Sequence, residues 1–335
     1  MELRGKEWAP VFNASGARGW SGEGYWFHKP WWPLGLRWSG SEFVAKTTTL
    51  CPRPGNMPLT KGYAPAQLNP PCILVKPLAG VTLNSVGLSG PGAEVLFARW
   101  RESFARDNVR RAFISFMSVQ STPEGRLAEA EGFARLFHEF CLQVGANMTV
   151  GLQVNFSCPN VSLPTDKLVS EVGSILGAFR ESNVAGIPVI AKFSAATPVW
   201  DVVQACQASR DCDGISVSNT VPWGKLPERI DWKKLFGSDV SPLAHLGGGG
   251  LSGKPLLPIV RDWILEARKL GFKKAIIGGG GVLSSDDAGV LLDVGADAVE
   301  IGSAAILRPW RVHGIVKHVL MRTGYREHSY LHNPP

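Results

Sequence analysis

The sequence predicts an α/β chain folded as one closed (β/α)₈ barrel, with an N-terminal extension and long loops on the barrel's C-terminal face. Three observations predict it. Strand-length apolar runs recur eight times with amphipathic stretches between them. The runs end in polar residues or glycines, and no Pro/Ser-rich linker divides the 335 residues. Alternating strands and helices require a mostly parallel sheet, and eight repeats at this length favour a barrel over an open sheet.

In chain order the runs are Phe43 to Thr47, Val81 to Asn84, Ala112 to Phe116, Gly151 to Phe156, Pro188 to Phe193, Gly214 to Ser218, Lys274 to Gly278 and Ala298 to Gly302. Helical periodicity occupies Arg126 to Val144, Thr165 to Ser182, Pro198 to Ala208, Lys254 to Leu270, Ser284 to Val294 and Pro309 to Thr323. The expected layout is a Trp-rich extension or lid over 1–42, the barrel over 43–324 and a tail over 325–335. Cys51 to Gly80 and Asn219 to Gly253 exceed the usual connection of about 4 to 6 residues, which marks both as functional loops at the C-terminal face.

Composition narrows the function. With 44% hydrophobic and 19% charged residues the chain is globular, and no apolar stretch reaches the roughly 18 residues that span a bilayer. Met1 to Pro10 holds no apolar run of signal type, so a cytoplasmic location is expected, with no membrane partner. The 6 cysteines form no Cys-x-x-Cys pair and the 7 histidines show no His-Glu-x-x-His spacing, so no metal site is expected. The net charge of +7 is dispersed, which suits small anions and argues against nucleic acid.

The strand ends carry the chemistry. They bring Lys46, Asn84, Ser115, Asn155 with Cys158 and Asn160, Lys192, Asn219 with Thr220, Gly278 to Gly281, and Gly302 with Ser303 to equivalent positions. Taken alone, Cys158 is a small apolar side chain and Cys-Pro-Asn a turn. Together the tips form a ring of converging amides and amines. Gly280-Gly281 and Gly302-Ser303 leave backbone N–H groups unshielded, which suits a phosphate after the last two strands. Lys46 and Lys192 need anionic partners if buried; a carboxylate, a phosphate or an electron-rich ring would serve, and a Schiff base is the competing chemistry.

These residues resemble the dihydroorotate dehydrogenases, in particular the soluble class 1 branch. The resemblance spans nearly the whole chain and rests on Asn13-Ala14-Ser15-Gly16, Lys46 to Leu50 with Pro52-Arg53 and Gly55-Asn56, Asn84 to Leu88, Asn155 to Asn160, Lys192, Asn219-Thr220, Gly249 to Gly253, Ile277 to Gly281 and Glu300 to Ala304. It implies flavin mononucleotide (FMN) as cofactor, held by Ala14, Ser15, Lys46, Thr47, Asn155, Lys192 and Ser218, with Gly253, Gly280, Gly281, Gly302 and Ser303 around its phosphate. It further implies a pyrimidine substrate, dihydroorotate, held by Lys46, Asn84, Ser85, Val86, Gly87, Leu88, Asn155, Asn160, Asn219 and Thr220. Cys158 is implied as the general base, with Lys46 and Lys192 as the other catalytic groups. A homodimer is implied, with fumarate or NAD, the latter through a separate electron-transfer subunit, as acceptor.

The sequence departs from this pattern in three places. Met57-Pro58-Leu59-Thr60-Lys61 lacks an expected arginine that Lys61 could replace, and Ser89-Gly90-Pro91-Gly92 alters the loop after Leu88. Trp20 to Trp38 is longer and more aromatic, as a packed lid or plug, an altered pocket wall, or a surface for an electron acceptor. The alternatives are oxidation of another dihydropyrimidine or cyclic substrate, a flavin carrier without turnover, and an ordinary phosphosugar barrel.

Overall fold

The computed structural model describes residues 1–107, 109–157, 169–182 and 186–326. Seven strands run parallel in one sheet: β1 (Val11–Asn13), β2 (Arg111–Phe116), β3 (Thr149–Asn155), β4 (Val189–Ser194), β5 (Gly214–Asn219), β6 (Ala275–Gly279) and β7 (Ala298–Ile301). Their spatial order is β1-β7-β6-β5-β4-β3-β2. Residues 42–48 lie between the two edges. Glu42 bridges Phe12 of β1, while Val44 and Thr48 bridge Phe113 and Phe116 of β2, all in parallel sense. The sheet thereby closes, and 42–48 takes the eighth position.

One expected strand is corrected. Val81–Asn84 pairs antiparallel with Ile73–Lys76 and with Gly250–Gly253, in a separate four-stranded sheet completed by Val221–Pro222. Only residues 77–80 join Ile73–Lys76 to Val81–Asn84, enough for a hairpin but far too few for a parallel crossover. The first barrel strand is instead β1, within the stretch expected to be an extension. Its three residues are too short to show a period.

The period of two sorts the barrel interior into layers. Phe12, Val44, Phe113, Ile190, Ile277 and Ala298 cluster with Leu3 and Trp8 as an apolar plug. Gly151 belongs to this layer because a Cβ there would lie 2.4 Å from the Phe113 ring. Beneath, Glu42 is fully buried and accepts from the Ala9 backbone N–H at 2.7 Å and from Arg111 Nε at 3.2 Å. Burial pushes its carboxyl pKa up, against the pull of Arg111. Two residues beyond the plug, toward the C-terminal ends, the interior turns polar with Ser115, Gln153, Lys192, Ser216 and Glu300, all buried. Two further along stand Asn155, Ser194 and Ser218.

The helices pack outside. Leu256–Lys269 turns Leu256, Ile259, Val260, Trp263, Ile264 and Ala267 inward, a 3/4 spacing that matches the helical period. Pro123–Val144 starts at Thr122, whose hydroxyl accepts from Gly125 N at 3.1 Å, and Ser284 caps Ser285–Asp293 in the same way. Among the described residues no helix is long and apolar enough to cross a membrane.

The Trp-rich segment packs against the barrel mouth. Trp20 and Trp38 are buried, the Trp20 indole N–H donates to Tyr63 O at 3.0 Å, and Trp100 Nε1 donates to Trp20 O at 2.7 Å. Trp31 meets Trp310 with ring centroids 5.5 Å apart, which ties the segment to the chain after β7.

Candidate active site

The floor of the site is the polar layer. Lys192 Nζ donates to both oxygens of Glu300, at 2.8 and 2.9 Å. Ser216 Oγ donates to the same carboxylate at 2.9 Å, and Gln153 Nε2 lies 3.5 Å from it. An isolated charge here would cost several kcal/mol in desolvation, so each ion needs the other together with the added donors. Gly279 makes room: a Cβ there would come within 3.0 Å of Glu300 Cβ. The anionic partner expected of a ligand for Lys192 is thus supplied by the chain itself.

Hydroxyls continue this layer around the barrel. Ser115 Oγ donates to Gln153 Oε1 at 3.2 Å and shares a bond with Thr47 Oγ1 at 2.9 Å. Thr47 Oγ1 lies 2.8 Å from Ser15 Oγ, which donates to Ala45 O at 3.0 Å and accepts from Thr47 N at 2.8 Å.

Above the floor the strand tips lock one another. Asn155 Oδ1 accepts from Ser157 N at 3.0 Å and from Asn219 Nδ2 at 3.1 Å. Asn219 Nδ2 also donates to Ser157 O, and its Oδ1 accepts from Thr220 N at 2.8 Å. Both amides are therefore oriented before any ligand arrives. Asn84 enters from the antiparallel sheet, opposite Gly250 and Ile73.

These groups share one cavity of about 660 Å³. It is lined by Ala14, Ser15, Lys46, Thr47, Asn84, Val86, Gly87, Leu88, Asn155, Lys192, Ser218, Asn219, Thr220, Gly280, Gly281, Gly302 and Ser303, so most of the expected site residues come together. Cys158 and Asn160 lie outside the described residues. Ser85 is buried beside the cavity, where its hydroxyl donates to Leu246 O at 2.5 Å. Gly253 backs the wall, with its Cα facing Gly80 O, next to Ser252, which lines the cavity. Lys61 is exposed and off the lining, and among the described lining residues there is no arginine.

Sequence reasoning did not single out roles for Gln153, Ser216, Glu300, Trp20 or His28. A signal existed for the first three: polar side chains inside strand-length apolar runs are anomalies that need partners. His28, on the 3-10 turn Trp26–Trp31, is buried and lines the cavity. Burial pushes its pKa down to about 4, so the imidazole is neutral at pH 7. Trp20, Tyr25, Phe27 and Trp31 line the same cavity, so the Trp-rich segment forms part of the pocket wall.

The glycine end fits a phosphate. Gly253, Gly280 and Gly281 hold φ of 107°, 103° and 77°, and a Cβ on Gly281 would lie 2.6 Å from Leu257 N at the start of Leu256–Lys269. That helix has no acidic residue in its first turn, so its N-terminus is open to an anion. With phosphate-compatible glycines, oriented amides and a wide apolar wall, the residues fit FMN.

A parallel barrel with a polar, glycine-edged mouth has the layout of a barrel enzyme whose site lies at the C-terminal ends of its strands. The family model "Dihydroorotate dehydrogenase" matches residues 9–322, and the chain belongs to the dihydroorotate dehydrogenase family, oxidoreductases that depend on a flavin and act on CH–CH groups. It is 31% identical over 280 residues to a dihydroorotate dehydrogenase B (NAD(+)) catalytic subunit of Pelobacter propionicus, covering 80% of this chain and 76% of that protein. The subunit of the same name from Desulforamulus reducens is 29% identical over 320 residues, 92% of this chain and 87% of the relative. Among solved structures, a DHODH of Eimeria tenella in complex with ferulenol shares the fold, with a TM-score of 0.63 at 20% identity, covering 94% of this chain and 82% of the other.

Proposed function

We propose that this chain oxidises dihydroorotate to orotate in pyrimidine biosynthesis, with FMN bound between the glycine cradle and the polar floor. The observation that carries the reading is the meeting of Lys46, Asn84, Asn155 and Asn219 in one cavity, in a member of this family. A ring of alternating carbonyl and N–H groups suits amides, each of which offers a donor and an acceptor. The Asn155–Asn219 lock sets which edge each amide presents. Lys46 meets the substrate carboxylate. That burden falls on Lys46 because Lys192 is already neutralised by Glu300 and no arginine lines the described wall.

Gly280, Gly281, Gly302 and Ser303 hold the FMN phosphate, Gly253 supports them from behind, and Ala14, Ser15, Thr47 and Ser218 border the ring. Bound FMN supplies the acceptor for the hydride leaving C6. Cys158 takes the proton from C5. The thiolate is the form that can take that proton. The aromatic wall excludes water from the reacting face.

The NAD-linked relatives support a partner subunit as the route by which electrons leave, because this chain has no Cys-x-x-Cys pair of its own. A homodimer in the cytoplasm completes the reading. A second reading, oxidation of a different dihydropyrimidine, is favoured by one observation: Met57 and Leu59, not a basic residue, represent the 57–61 segment in the lining. Orotate formation from dihydroorotate with an artificial acceptor tests the choice. Cys158→Ala lowers the rate by about 10² to 10⁴ if the thiol is the base. Oxidation of dihydrouracil with no turnover of dihydroorotate favours the second reading.

A further inference from the structure

The aromatic segment is fastened to the two stretches that border the flavin site. Tyr25 Oη donates to Gly16 O, in the turn that follows Ala14 and Ser15. A hydrogen bond with the Ala305 backbone ties the His28 ring to the helix Ser303–Leu307, whose first residue stands at the phosphate end. These two anchors are themselves neighbours, since a Cβ on Gly302 would lie 2.9 Å from Ala14 Cβ. Trp31 against Trp310 adds a third fastening, with ring centroids 5.5 Å apart.

Between these anchors the rings pack into one apolar face. Tyr25 and Phe27 stack with centroids 5.3 Å apart and planes 11° apart, and His28 meets Phe27 edge-on at 4.7 Å. Tyr25, Phe27 and Trp31 line the cavity and are only half-buried, whereas Trp20 and His28 beside them are buried. Aromatic surface left in water forgoes one of the largest burial gains a side chain offers. An occupant with a planar, apolar part would recover it.

FMN has one such part. Its phosphate suits the glycine cradle and its pyrimidine edge suits the polar floor, so the dimethylbenzene end is the portion without a polar counterpart. The apolar residues Met57 and Leu59, also in the lining, belong to the substrate side, because Met57 N donates to Ser89 Oγ at 3.0 Å in the loop that follows Gly87 and Leu88. We propose that Tyr25, Phe27 and Trp31 form a binding subsite for the dimethylbenzene end of the flavin. The proposal rests on the proposed function, in which FMN fills this cavity. It gives the segment where the chain departs most from its family a part in holding the cofactor.

The test compares dissociation constants of FMN and of an FMN analogue lacking both ring methyl groups, read from flavin fluorescence on titration of the cofactor-free protein. Wild type is expected to hold FMN about tenfold more tightly than the analogue, because two methyl groups lose their burial. Phe27→Ala opens the aromatic face, and the preference is expected to shrink to within about threefold. Trp31→Leu provides an independent variant and should shrink the preference in the same direction. The wild-type ratio needs no variant: equal affinities for the two flavins would place the methyl groups in water and overturn the inference while FMN binding stands. A wild-type preference that persists in full in both Phe27→Ala and Trp31→Leu assigns it to other residues and likewise overturns the inference. If wild type binds neither flavin, the FMN reading itself fails, and the inference fails with it.

Discussion

Lys192 and Glu300 face each other across the barrel interior, the ammonium 2.8 and 2.9 Å from the two carboxylate oxygens, on strands β4 and β7. A lysine beside a flavin is expected to stabilise the negative charge that reduction adds. Here that lysine arrives with a counter-charge, so its field on a bound ring is weakened.

Glu300→Gln keeps the shape and removes the charge. The flavin reduction potential is expected to rise by on the order of 30 mV, equivalent to about 1.4 kcal/mol for a two-electron couple, measured by spectroelectrochemical titration. Glu300→Ala strands the buried ammonium, and its cost of about 3 to 5 kcal/mol should appear in denaturant unfolding of the cofactor-free protein.

Asn219 orients Asn155 rather than only offering its own amide. Asn219→Ala releases the Asn155 side chain, and orotate affinity is expected to fall about 5- to 30-fold, the equivalent of roughly 1 to 2 kcal/mol, by flavin difference spectroscopy. An unchanged affinity would remove the lock from the account.

The phosphate end can be tested by charge alone. Ser303 opens the helix Ser303–Leu307 and lines the cavity. An aspartate there is favourable at a helix start, so Ser303→Asp should melt like wild type without cofactor. FMN affinity should nevertheless drop at least about tenfold by like-charge repulsion, and riboflavin, which lacks the phosphate, should bind equally well to both proteins.

His28 predicts an acid-sensitive fold. Its folded pKa of about 4 lies below the ordinary 6.5, so between those values the unfolded chain holds the extra proton. Stability therefore falls as pH drops through this window, by up to about 3 kcal/mol, and the loss is complete below the folded value. His28→Phe removes the term: its midpoint in urea should fall less than that of wild type between pH 7 and pH 4.5.

Much of this was legible in the residues. Seven of the eight apolar runs lie in the barrel, because period-two packing between helices leaves a strong local signature. Val81 to Asn84 has the same signature in a hairpin, and nothing local separates the two. Val11–Asn13 is so short that only its pairing with β7 and Glu42 identifies it. The amide tips and glycines were readable as a site because each ends a strand. The Lys192–Glu300 pair was not, since its members are 108 residues apart and meet only when the barrel closes. The placing of Trp20 over Lys46 likewise depends on how a loop folds back, which no periodicity encodes.

The central claim is that this cavity oxidises dihydroorotate through a bound flavin. Anaerobic addition of dihydroorotate to the FMN-loaded protein tests it most directly, with the flavin absorbance followed and the product identified. The account predicts bleaching of the oxidised band with one orotate formed per flavin reduced. A fully loaded protein whose flavin stays oxidised in excess dihydroorotate would contradict it.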